Sequence, residues 1–243
     1  MIYKMVFSFF LMLNFPGSKI PEGEKILKEM HDRYAGKWYS CYTFYQTTEI
    51  YRNDSLKKTD IWYEAVQFPD HFRIDFGPAD SSNALIFKGD SAYNFKNGIL
   101  RSVRKDDDDL TFLLGGMYFY PFDVARKKIK ELGYDINKAE EETWKGKQIY
   151  VIGAKKGEQA NQVWIDKEKL IIVRMIKYDH KGKLEGIFTD HIKLGNGWTE
   201  TKAIFYYDNK LIQVEKYHNC RTDLKIDPRL FEPSQFLKSN WHK

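Results

Sequence analysis

The sequence predicts an α+β chain made mostly of an antiparallel β-meander, with one N-terminal helix and one helical insertion. Three observations predict it. Of 243 residues, 17 are Phe, 16 Tyr and 6 Trp, types that suit pleated, half-buried surfaces. Turn signals recur about every ten residues along most of the chain, the rhythm of hairpin-linked strands. The alternation is interrupted once, by an apolar stretch over residues 110–133.

The first 18 residues are set apart from the fold. Lys4 precedes an apolar run over residues 5–15, followed by Pro16-Gly17-Ser18. The run is too short to span a bilayer, and the layout is that of a secretory signal peptide, although no A-x-A cleavage motif follows. Residues 19–243 are then expected to form one domain, exported to the periplasm or beyond. No other segment reaches transmembrane length, so the mature protein is expected to be soluble. Cys41 and Cys220 are the two cysteines. Sequence does not decide whether they pair, because a bridge needs Cα atoms within about 7 Å.

A helix is expected over residues 22–37, where Leu27, Met30, Tyr34 and Trp38 recur at three- and four-residue spacing behind Glu22 and Glu24. The period then becomes two. Strands are expected at 39–51 and 57–68 around Asn53-Asp54-Ser55. After Pro69-Asp70, residues 71–76 alternate, with Phe72, Ile74 and Phe76 on one side and His71, Arg73 and Asp75 on the other. Short strands follow at 84–88, 91–96 and 99–104, the last two joined by Asn97-Gly98, a strong hairpin signal. Asp106 to Asp109 lack the Gly and terminal Glu of a calcium loop and read as a solvated lead into the insertion. Within it, Pro121 opens a helix that Gly133 ends. Strands resume at 147–155, 161–166, 170–179, 184–194, 198–208 and 211–221.

No catalytic constellation emerges. The His residues at 31, 71, 180, 191, 218 and 242 form no zinc spacing, and there is no nucleophile elbow, P-loop or dinucleotide fingerprint. The net charge of +5 is scattered, without the Lys/Arg stripe of a nucleic-acid binder. The expectation is therefore no enzyme, no cofactor, no metal and no nucleic-acid partner. The concave face of the sheet either holds a plain core or keeps an apolar cavity.

Several ordered segments carry a resemblance. They are Ile26-Leu27 to Tyr34 before an aromatic strand, Phe68-Pro69-Asp70-His71-Phe72-Arg73, Lys88-Gly89-Asp90 to Phe95, Trp164-Ile165-Asp166 with Val173-Arg174, and Ile226-Asp227-Pro228-Arg229-Leu230-Phe231. In this order they resemble the LolA-like periplasmic lipoprotein carriers and outer-membrane lipoprotein-sorting proteins, over roughly residues 24–236. The resemblance implies an incomplete, half-open β-barrel whose concave face is covered by helices. It implies a cavity for lipid or lipoprotein acyl chains, transient envelope-protein partners and no covalent chemistry. That family often has an Arg before the Pro of the strand-two turn; this chain has Phe68, so no polar latch is carried over. The expected lining is Phe72, Ile74 and Phe76 from the alternating strand, and Phe112, Leu113 and Met117 from an insertion acting as lid. Two other readings stay open: an envelope enzyme acting on a hydrophobic substrate, and a structural or interaction module with a filled core.

Overall fold

The computed structural model describes residues 22–78, 81–106, 109–222, 225–238 and 241. The signal-like residues 1–18, and Asp107 and Asp108 of the acidic run, lie outside the described residues.

Helix α1 (Glu22–Tyr34) buries Ile26, Leu27, Met30 and Tyr34 on one face, with acids in its first turn and His31 and Arg33 in its last, the distribution that suits the helix dipole. It stops three residues short of the expected end, and Trp38 is buried beyond a turn. Six antiparallel strands follow: β1 (Cys41–Arg52), β2 (Ser55–Gln67), β3 (His71–Phe76), β4 (Ala84–Lys88), β5 (Ser91–Lys96) and β6 (Ile99–Lys105). The β5–β6 turn has Asn97 at φ 52° and Gly98 at φ 75°, the left-handed pair that a two-residue hairpin requires. The insertion comprises α2 (Leu110–Leu113), a 3-10 turn over Gly116–Phe119 and α3 (Phe122–Glu131).

The second run is β7 (Ala139–Trp144), β8 (Lys147–Ile152), β9 (Gln162–Asp166), β10 (Ile171–Tyr178) and β11 (Lys183–Thr189). The short hairpin β12 (Ile192–Leu194) and β13 (Gly197–Thr199) follows, then β14 (Lys202–Tyr207) and β15 (Lys210–Arg221). Among the described residues, thirteen strands join one sheet in the order β6-β5-β4-β3-β2-β1-β15-β14-β11-β10-β9-β8-β7. The first and last strands meet at its centre. The two edges, β6 and β7, are neighbours in sequence separated by the helical insertion. The sheet is an incomplete barrel: antiparallel throughout, not closed on itself, with the helices laid against it.

Three features differ from the expectation. Strand β7 was not foreseen, because Glu140, Glu141 and Glu142 depress its strand propensity. The expected strands 184–194 and 198–208 are each broken, at residues 190–191 and 200–201. Asp190 adopts φ 55° and sends β12–β13 out of the main sheet. The C-terminal residues form two 3-10 segments, Pro228–Phe231 and Pro233–Lys238, where no element was assigned.

The helices fill only part of the concave side. α1 and the insertion pack on the half of the sheet around β8–β11, where Leu27, Met30, Met117, Ile129, Ile149, Ile152, Ile165 and Met175 form one fully buried core. Contact there is close: a Cβ at Gly115 would stand 2.5 Å from Phe68 Cζ and 2.8 Å from Trp38 Nε1. Gly115→Ala is therefore expected to cost about 1–3 kcal/mol in a urea melt, since rings and not flexible chain ends must shift. An Arg126–Glu24 ion pair of 2.7 Å joins α3 to α1, and a 2.6 Å Lys177–Asp109 pair fixes the start of α2 to β10.

The opposite face of the β2–β5 half is strapped by the C-terminal segments. Leu230 and Phe231 pack on Ala65, and Phe236 packs on Ala84, Ile86 and Phe95. The alternation of β3 stands, but its charged face is the more deeply buried. Arg73 and Asp75 are 3% and 7% exposed, while Phe72, Ile74 and Phe76 are only half-buried. Arg73 Nε donates to both Asp75 oxygens at 3.0 and 3.1 Å, its Nη1 donates to the Leu230 carbonyl at 3.0 Å, and Trp241 Nε1 donates to Asp75 Oδ2 at 2.8 Å.

Candidate functional site

Because the helices cover one half, the concave face over β1–β4, β11, β14 and β15 keeps a cavity of about 500 Å³. Strand alternation and register set its wall. Tyr42 and Phe44 of β1 lie beside Val66 and Glu64 of β2, which lie beside Phe72 and Ile74 of β3. On the other side, Tyr217, Glu215 and Gln213 of β15 face Phe205 of β14 and Leu184 and Phe188 of β11. Leu110, Thr111 and Leu114 of the α2 region close it from above. Rings shape both flanks. Phe72 stacks on Phe87 at 5.5 Å with planes 13° apart, Phe44 lies 4.5 Å from Tyr217, and Phe188 meets Phe205 edge-on at 6.3 Å. A second space of about 340 Å³, lined by Phe112, Tyr120 and Lys128 among others, abuts the first across Phe72, Phe87 and Thr111.

The cavity is apolar with one polar region. Glu64, Glu200 and Glu215 all line it and are each less than a tenth exposed. Glu215 accepts hydrogen bonds from Gln213 Nε2 at 2.5 Å and from the Tyr217 hydroxyl at 2.8 Å. Burial lifts the Glu200 carboxyl to a pKa of about 7, and the charge on Glu215 pushes the same way. Burial also holds the Tyr42 and Tyr217 phenols well above their ordinary range, with the nearby carboxylates adding to it. Among the described residues, no group of three or more His, Cys, Asp or Glu could hold a metal ion.

No protein-family model matches this chain, and no curated protein matches its sequence. Solved structures do. A DUF1329 family protein from Desulfovibrio piger superposes with TM-score 0.61 at 16% identity, covering 87% of this chain and 96% of that one. A domain assigned as an outer membrane lipoprotein-sorting protein, from Vibrio parahaemolyticus, gives TM-score 0.61 at 15% identity, covering 89% and 98%. A LolA superfamily protein from Nitrosomonas europaea gives 0.56 at 11% identity, covering 86% and 96%. The fold is LolA-like.

On the LolA-like sheet the six residues expected at the site fall in different places. Phe72 and Ile74 stand on the cavity wall. Phe76 sits one step further along β3, edge-on to Trp62 at 4.9 Å, and borders a separate depression with Lys58, Asp60 and Arg101. Phe112 lines the adjoining space, while Leu113 and Met117 are in the main core. The three glutamates were not singled out from sequence. For two of them the signal is periodic: Trp62-x-Glu64-x-Val66 and Gln213-x-Glu215-x-Tyr217 place the carboxylate on the aromatic face of its strand, whereas Glu200 lies in the connection between β13 and β14. Neither Cys41 nor Cys220 is in a disulfide. Cys41 Sγ reaches the Thr222 carbonyl at 3.8 Å, and burial raises the Cys220 pKa to about 11.

Glu200 gives a pH-dependence whose sign is opposite to that of a salt-bridged carboxylate. Its folded-state pKa is raised from 4.5 to about 7, so between those values the folded chain holds a proton that the unfolded chain has lost. Stability falls as pH rises through that window, by roughly 3 kcal/mol in full. Glu200→Gln is expected to melt at higher urea than the parent at about pH 8 and at nearly equal urea at about pH 4.

Proposed function

We propose that this protein is an exported, non-enzymatic carrier that holds an acyl chain, of a lipoprotein or a similar lipid, in the concave cavity. One observation carries the reading: a ring-lined space of about 500 Å³ lies on the concave face, with Leu110, Thr111 and Leu114 of the α2 region above it. That volume falls in the range of small-molecule sites, about 300–1,000 Å³. Each buried CH₂ contributes about 0.8 kcal/mol, so a chain with some ten carbons inside gains on the order of 8 kcal/mol before ordering costs. The likeness to lipoprotein-sorting and LolA superfamily structures, and the signal-like residues 1–18, support the same reading. Among the described residues no helix is long and apolar enough to cross a membrane. The four-residue α2, with Leu110 and Leu114 over the cavity, is the segment whose displacement would release a chain.

Titration with a long-chain polyene fatty acid that fluoresces only in apolar surroundings tests this. Saturable binding of one or two probes per protein is expected; absence of saturable binding would count against a carrier. A second reading, an enzyme acting on a hydrophobic envelope substrate, is favoured by Glu200, a buried carboxyl with a pKa of about 7 inside the cavity. It requires turnover of an acyl ester that Glu200→Gln abolishes. A filled-core structural module is disfavoured by the cavity itself.

A further inference from the structure

The β2–β6 half of the sheet has ends of opposite charge. At the β2–β3 and β4–β5 turns, the second space is lined by five carboxylates, Asp70, Asp90 and Asp106 among them, against Lys105 and Lys128. At the β3–β4 end, the depression bordered by Phe76 has Lys58, Lys96 and Arg101 against Asp60. Asp60 pairs with Lys58 at 2.6 Å. Among the described residues, the side chains of Asn94, Lys96 and Arg101 in this depression have no hydrogen-bond or ion-pair partner. Register brings them together. Asn94 pairs with Ser102 and Lys96 with Ile99, and Arg101 occupies the β6 bulge between those pairs, where a side chain is re-aimed. The depression adjoins the cavity. Phe76 stands two residues, about 7 Å, beyond Ile74 on the same face of β3, and meets Trp62 of the cavity wall edge-on at 4.9 Å.

We propose that the head of the carried amphiphile is an anionic group of phosphate type, seated on Lys96, Arg101 and Asn94, with its chain running past Trp62 and Phe76 into the cavity. The proposal rests on the carrier reading and names the head chemistry of its cargo. An ionised phosphate presents acceptors that suit the planar donor fork of Arg, the point charge of Lys and the amide of Asn. The rest of the concave face disfavours the opposite orientation. A phosphate placed inward would meet Glu64, Glu200 and Glu215 on the cavity wall, and one at the turn end would meet the five carboxylates there. A cationic head in the depression would be repelled by Lys96 and Arg101, and an alcohol would gain neutral hydrogen bonds alone.

The test is competition by dodecyl phosphate, dodecanol and dodecyltrimethylammonium for the fluorescent fatty-acid probe, in low salt at about pH 8 where the phosphate is doubly ionised. Dodecyl phosphate is expected to bind at least about tenfold more tightly than dodecanol, with the ammonium weakest, because charge-assisted bonds are about twice as strong as neutral ones. In Lys96→Gln/Arg101→Gln the phosphate should lose that advantage while dodecanol affinity is kept, which also shows that the variant is folded. Millimolar inorganic phosphate should leave the binding of dodecyl phosphate nearly unchanged. If it erases the advantage over dodecanol, the depression takes free phosphate and the assignment to a cargo head falls. Equal affinities for phosphate and alcohol in the parent protein, tightest binding of the ammonium, or an advantage kept in the double variant would also overturn the head assignment and leave the carrier standing. Failure of all three to compete, together with no saturable probe binding, would overturn both.

Discussion

Replacing Arg73 with Met is expected to lower the unfolding free energy by about 3–5 kcal/mol, the cost of breaking a buried ion pair from one side. The guanidinium is 3% exposed and holds three groups at once: the Asp75 carboxylate, the Leu230 carbonyl and, at 4.9 Å, the ring of Phe236. Without it, Asp75 stays in a site closed by the C-terminal strap, with Trp241 Nε1 still donating to one oxygen. The Leu230 carbonyl also loses its 3.0 Å donor. The double variant Arg73→Met/Asp75→Leu removes both charges and should recover much of the loss, because a well-packed apolar pair avoids the desolvation that the ion pair carries. Urea denaturation of the two variants measures this. The network lies on the face of β3 opposite to Phe72 and Ile74, so acyl-probe binding per folded molecule should be unchanged in both. A binding loss in folded Arg73→Met would mean that the two faces are coupled.

The second large effect is on ligand. Ile74 and Leu184 lie on opposite sides of the cavity, on β3 and β11, and both are half-buried with their free surface toward it. Ile74→Trp/Leu184→Trp places two indoles in the open space and meets no packed core. If they displace about four CH₂ groups of a bound chain, the loss is about 3 kcal/mol, or roughly a hundredfold in affinity. Thermal stability should be equal or higher, since empty volume becomes contact. Reduced stability with unchanged affinity would show that the probe binds elsewhere. These outcomes are read in the same fluorescence titration, with a thermal melt beside it.

Much of this architecture is legible in the residues. The Asn97-Gly98 turn, the 3–4 periodicity of α1 and the alternation of β3 follow from local chemistry, and the structure has them where that chemistry puts them. Other parts depend on contacts far apart in sequence. Strand β7 pairs with β8 despite its three glutamates, because the edge of the sheet leaves Glu141 and Glu142 free to meet Lys167 and Lys156. The strap over β3 is set by Arg73 reaching Leu230, 157 positions away. That contact turns a charged face that reads as solvated into a buried one. At the site, β3 leads to the cavity through Phe72 and Ile74, but the periodicity of the insertion cannot tell a roof residue from a core residue. Leu110 and Leu114 line the cavity, whereas Leu113 and Met117 are buried in the main core. Isolated strand glutamates such as Glu64 and Glu215 read as solvent-facing, and only the curl of the sheet brings them to one wall with Glu200 of the β13–β14 connection.

The central claim is that the concave face holds an acyl chain, and native mass spectrometry of the protein equilibrated with a mixed bacterial lipid extract tests it most directly. The carrier account predicts a bound population heavier than the bare chain by the mass of one acyl lipid, lost in Ile74→Trp/Leu184→Trp. A spectrum with only the bare chain at every lipid concentration, or lipid adducts equally abundant in that variant, would contradict it.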